Sequence, residues 1–128
     1  MVALNHARCR FQIEQNRWGV AVFTKKSEGK YREMLPGIKM RTASYGEKTL
    51  MSEFVLEKGS SLPPHSHVHE QTGFLVSGRI MLKIGGENFE ALPGDSWCIG
   101  SGVEHSADAL EDSVAVEVFS PLREDYLP

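Results

Sequence analysis

The sequence predicts an all-β domain, a sandwich or barrel of short strands with an extension ahead of it. Three observations carry that expectation. Short apolar-rich runs recur along the chain with glycine-containing turns between them at even spacing. Helical periodicity is absent over any helix-length window, apart from a weak candidate in the polar N-terminus. Pro63 and Pro64 stand directly before the histidine-rich stretch, and proline removes a backbone donor and forces the preceding residue extended, so that stretch is not helical.

The elements follow in order. With 128 residues the chain can bury one core and not two. Residues 1–29 read as an N-terminal extension and residues 30–128 as the barrel domain. Within the extension, Gly-Val-Ala-Val-Phe-Thr at 19–24 is the one strand-like run, available to a neighbouring subunit. Residues 27–32 are polar and glycine-broken and are expected to form a loop. Strands are expected at 38–44 and 48–57, around a turn at Tyr45-Gly46-Glu47. Two more, 71–77 and 79–84, hinge at Gly78, and Gly85-Gly86 makes a tight hairpin into 87–91. A turn at Leu92-Pro93-Gly94-Asp95 leads to strands at 97–99, 105–107 and 113–119.

Composition narrows the function. A net charge of -3, with no basic run longer than Lys25-Lys26, argues against nucleic-acid binding, which needs a cationic surface to release counterions. No apolar stretch is long enough to span a membrane and no charged start leads into a signal-like apolar run, so no membrane association and a cytoplasmic location are the expectation. Cys9 and Cys98 are isolated from each other and from the histidines, which excludes a paired redox or thiolate zinc motif. Cys98 lies in an apolar run and is expected to be a buried small hydrophobe.

His65 and His67 are two residues apart, and in extended backbone that spacing puts both imidazoles on one face, where a metal ion could sit between them. The stretch from Gly59 to Gly78 resembles the first signature of the cupin superfamily, with Gly59, His65, His67 and Gly78 in register. Gly94 to His105 resembles its second signature, with Gly100 in place of the usual proline and Ala109 in place of the final asparagine. The resemblance implies a double-stranded β-helix, or jelly-roll barrel, and one divalent metal ion held by His65, His67, His105 and the residue at the acidic position. That residue here is Gln71. Imidazole with an amide oxygen suits zinc, nickel, manganese or iron. Glutamine neutralises none of the ion's charge, so the centre would stay at +2 and attract an anionic ligand. His69 is expected beside the site or at the surface rather than on the metal.

Two further stretches are more specific. His65-Ser-His-Val-His-Glu-Gln71 and Phe119-Ser-Pro-Leu-Arg-Glu-Asp-Tyr-Leu127 resemble the pectin-degradation cupins of the KdgF type. That family linearises 4,5-unsaturated uronates to open-chain ketones. The resemblance implies that Phe119 lines a sugar pocket and Arg123 pairs with the substrate carboxylate. It also places the family's catalytic aspartate on Glu117, one methylene longer. Glu117 alternates with Val116 and Val118 and is equally compatible with facing solvent, and Arg123 with pairing Glu124 or Asp125. Two other functions use the same ligands: a metal-dependent dioxygenase or isomerase on another small substrate, and a noncatalytic carbohydrate-binding cupin. A homodimer is expected, the extension crossing to the partner to cover a strand edge.

Overall fold

The computed structural model describes residues 20–128. Its strands are β1 (Arg32–Leu35), β2 (Ile38–Tyr45), β3 (Leu50–Leu56), β4 (Ser61–His65), β5 (Glu70–Ser77), β6 (Ile80–Ile84), β7 (Glu87–Ala91), β8 (Ser96–Ile99), β9 (His105–Ala109) and β10 (Ser113–Ser120). They form a six-stranded antiparallel sheet in the order β1-β2-β3-β10-β5-β8 and a four-stranded sheet in the order β4-β9-β6-β7. This is the jelly roll that the sequence led us to expect. Its hydrogen-bond ladder does not close into a continuous barrel, because no edge strand of one sheet, β1 or β8, pairs with an edge strand of the other, β4 or β7.

The sheets face each other because apolar residues alternate along the strands. On β5, Gln71, Gly73 and Leu75 are buried while Thr72, Phe74 and Val76 are exposed. On β10, Ser113, Ala115, Glu117 and Phe119 turn inward. One core cluster joins Leu75 and Ala115 to Ile80, Leu82, Ala107 and Ala109 of the opposite sheet. A second holds Met40, Leu50, Phe119 and Tyr126. Each fully buried aliphatic or aromatic side chain contributes about 1.5–3 kcal/mol. Gly85 and Gly86, at φ 57° and 88°, form the two-residue hairpin between Ile84 and Glu87, a left-handed pair that no other residue type adopts as readily.

Three expectations need correction. Cys98 is exposed. Its neighbours Trp97 and Ile99 take the inner face of β8, and with a period of two the residue between them points out. The expected loop at 27–32 instead holds a 3-10 turn at Lys26–Glu28, and its last residue, Arg32, opens β1. The strand-like run at 19–24 forms no strand over residues 20–24: Ala21 makes a single bridge, and Val22 and Phe23 are 62% and 70% exposed. Gly19 lies outside the described residues.

After β10 the chain turns back under the sheet as a 3-10 turn, Glu124–Tyr126. Arg32 Nη2 donates to the Asp125 carbonyl at 2.8 Å, and the Thr42 hydroxyl donates to the Tyr126 carbonyl. The C-terminal segment is thereby held against β1 and β2. No helix among the described residues is long and apolar enough to cross a membrane.

Candidate metal centre

The three histidines meet where β4 and β9 run side by side. Leu62 pairs with Ala107 and His65 with His105, so three steps along β4 match two along β9. The extra residue of this bulge falls at Pro63-Pro64, which have no N–H to offer the ladder, and the bulge re-aims His65 toward His105. His67 follows two residues beyond the end of β4, tied down by the Gly102 N–H, which donates to the His67 carbonyl at 2.8 Å. The potential ligand atoms of His65, His67 and His105 lie within 4.8 Å of one another.

Their tautomers are set by the backbone. His65 Nδ1 lies 2.9 Å from the Pro63 carbonyl, His67 Nδ1 2.9 Å from the His69 carbonyl, and His105 Nδ1 2.8 Å from the Val103 carbonyl. A carbonyl only accepts, so each Nδ1 carries the proton and each neutral ring presents an unprotonated Nε2. His105 Nε2 is buried without a hydrogen-bond partner among the described residues. A buried acceptor left alone is costly, and a cation relieves it. Burial holds the His67 and His105 imidazoles below their ordinary range, against the carbonyl bonds that would raise them, which favours the neutral, ligating form. The donor set therefore fits a divalent ion.

Gln71 lies beside the triad. It pairs with Phe119 on one side and Ile99 on the other, and its amide oxygen lies 3.1 Å from His67 Nε2. The Gln71 side chain also acts on the Glu117 carboxyl, favouring its charged form. An amide oxygen facing an imidazole lone pair is the arrangement that a shared cation resolves.

Glu117 is inside the sandwich, 8% exposed, and it is Val116 and Val118 that turn outward. Burial pushes its carboxyl up to about 8, against hydrogen bonds from Gln71 and Trp97. Trp97 Nε1 donates to Glu117 Oε1 at 3.2 Å, while Oε2 is buried with no partner among the described residues. These side chains meet because Glu117, Gly73 and Trp97 lie in one row across β10, β5 and β8. A Cβ at Gly73 would strike both the indole and the carboxylate. Gly73→Ala is accordingly expected to lower stability by about 1–3 kcal/mol, as overpacking a filled interior does, and to shift tryptophan emission. An unchanged urea midpoint and spectrum would contradict this packing.

Phe119 is 1% exposed, with its ring 5.8 Å from that of His67 and 5.4 Å from that of Tyr126. It backs the His67 imidazole. Arg123 stacks its guanidinium 3.9 Å from the Tyr126 ring centre and 5.1 Å from that of Phe119. Its charge also bears on His67 and His105. Of the two neighbours considered for it, Arg123 pairs with Asp125. His69 stands outside the triad, its ring 5.5 Å from that of His67 and its Nδ1 buried without a partner among the described residues. Sequence reasoning missed Gly73, Trp97 and Tyr126, and considered Asp125 only as a surface partner of Arg123. For the first two the only signal is cross-strand register, which a single sequence does not state.

Comparison with known proteins agrees with the jelly-roll fold. The family described as Cupin domain matches residues 52–120. The pectin degradation protein KdgF of Dickeya dadantii (strain 3937) is 29% identical over 102 residues, spanning 78% of this chain and 93% of that protein. The structure of KdgF from Halomonas sp. superposes with a TM-score of 0.78 at 30% identity, covering 82% of this chain and 97% of that one. An RmlC-like cupin from Shewanella frigidimarina superposes with a TM-score of 0.80 at 23% identity, covering 83% and 96%, a likeness of fold alone.

Proposed function

The chain belongs to the cupin family, and from that premise we propose that it is a metal-dependent enzyme that opens the ring of 4,5-unsaturated uronates, the sugar acids that pectin or alginate cleavage releases. The observation that carries this reading is Glu117, a carboxyl buried on the inner face of β10 in contact with Gln71. A module that only bound its ligand would need no acid there. The reaction is an isomerisation. The anomeric hydroxyl loses a proton, its carbon releases the ring oxygen, and the enol so freed takes a proton at carbon to become a ketone.

A divalent ion held by His65, His67, Gln71 and His105 would supply a Lewis acid for the substrate's oxygens. The remaining work falls to the chain. Glu117 Oε2, which has no hydrogen-bond partner among the described residues, carries the proton in this reading. Trp97 holds the other oxygen and so fixes which one is free. Arg123 recognises the substrate carboxylate, and Phe119 keeps the His67 ring upright beneath it.

The test is direct. Protein loaded with zinc, nickel, manganese or iron should remove the ultraviolet absorbance of the unsaturated uronate faster than its spontaneous rearrangement. No excess rate with any of the four ions ends the proposal.

The same proposal includes a second copy of the chain as partner. The outer face of the six-stranded sheet carries Met51, Phe74 and Val76 at 42%, 47% and 49% exposure, with Val114, Val116 and Val118 between them. Val22 and Phe23 lie exposed near the described start of the chain, where they can reach across to a partner. Light scattering should give twice the chain mass for the full protein, and less once residues 1–28 are deleted. A full-length monomer rules the dimer out.

A further inference from the structure

Asp125 grips Arg123 by one edge only. Nε and Nη2 of Arg123 donate to Oδ1 and Oδ2 of Asp125 at 3.1 and 2.7 Å, a side-on bidentate pair. A guanidinium has more donors than one carboxylate takes, and the remaining N–H of Nη2 lies parallel to one on Nη1, forming a second, end-on fork. No hydrogen bond within the described residues occupies that second fork. The plane of the group is fixed from below by Tyr126, 3.9 Å away, and Tyr126 is itself backed by Arg32, whose guanidinium lies 5.6 Å from the same ring. Arg32 also binds the Asp125 carbonyl, so the clamp is anchored to β1.

We propose that Asp125 is the positioning residue of this site, locking Arg123 so that only its end-on fork meets a ligand carboxylate beside the histidine triad; this rests on the uronate reading for the identity of that ligand. The exposures fit the role. The Arg123 side chain is 15% exposed and that of Asp125 58%, so the cation is sunk in the site while the anion that holds it faces solvent. An internal carboxylate that merely blocked the site would take the edge a ligand needs. Asp125 takes the side edge and leaves the end edge open. The Arg123 hydrogen bonds in turn hold the Asp125 carboxyl below its ordinary range, so the clamp is charged at neutral pH.

Two measurements on the full chain test it. In nitrogen-resolved NMR of the unliganded protein, the Arg123 Nε–H should give a slowly exchanging signal that is lost in Asp125→Ala and recovered in Asp125→Glu. By calorimetry, D-galacturonate, which has no double bond to be consumed, should bind Asp125→Ala about tenfold more weakly, because a swivelling guanidinium must then be immobilised on binding. Binding of neutral galactose should not change. In turnover the loss should appear in KM with kcat nearly intact. Equal or tighter galacturonate binding by Asp125→Ala overturns the proposal and makes Asp125 a competitor for Arg123. A wild-type protein that takes up no galacturonate instead defeats the uronate reading, and the NMR measurement then decides the clamp by itself. Should Asp125→Ala fail to fold, the near-isosteric Asp125→Asn reads out through the same two measurements.

Discussion

His105→Ala is expected to abolish retention of a divalent ion while leaving the metal-free protein within about 1 kcal/mol of wild type, the worth of the one hydrogen bond it loses. Both halves follow from the surroundings of the ring. Its Nδ1 gives up a bond to the Val103 carbonyl, a small loss. Its Nε2 is a buried acceptor with no partner among the described residues, so removing that atom also removes a desolvation cost. With the ion the balance reverses, because one of three converging imidazoles is gone. A ligand at 100 times its dissociation constant stabilises the folded state by about 2.7 kcal/mol. For a chain of this size that is a rise of roughly 10 °C in Tm. Wild type should show that rise with zinc and the variant should not. Elemental analysis of protein purified without added metal should give one ion per chain for wild type and almost none for His105→Ala or His67→Ala. Equal occupancy in all three would falsify the assignment of the site.

Local chemistry was legible in the sequence and cross-strand register was not. The spacing of His65 and His67, the prolines before them and the hairpin glycines act over a few residues, and the structure places each as read. Gln71 was legible by position in a motif, and it falls beside His67. Cys98 was misread because its apolar neighbours look the same whichever face they take, and a register difference of one residue reverses burial. Glu117 was ambiguous for the same reason. Valines on either side of a carboxylate would ordinarily claim the core, but here they cover the outer face, and the carboxylate is stabilised inside by Trp97 and Gln71. The opening Gly73 leaves for that contact depends on three strands lying in one row. β1 escaped notice because Arg-Glu-Met-Leu has no alternation and pairs on one side only.

Glu117→Gln is expected to lower turnover by about 10²- to 10⁴-fold, the usual worth of a positioned acid or base, with substrate binding nearly unchanged. The amide has the same shape, its oxygen still accepts from Trp97 Nε1, and the space above Gly73 needs no adjustment. Only the exchangeable carboxyl proton is lost. Two other changes should separate cleanly from it. Arg123→Ala removes the cation stacked on Tyr126 and should raise KM, because a substrate carboxylate is left without its fork. Gln71→Glu should keep the metal but weaken anion binding, since it lowers the charge of the centre from +2 to +1. In steady-state assays following the double-bond absorbance, Glu117→Gln should thus fall in kcat and the other two chiefly in KM. Should Glu117→Gln retain wild-type kcat, the carboxyl is a structural partner of Trp97, and the proton must travel by another group.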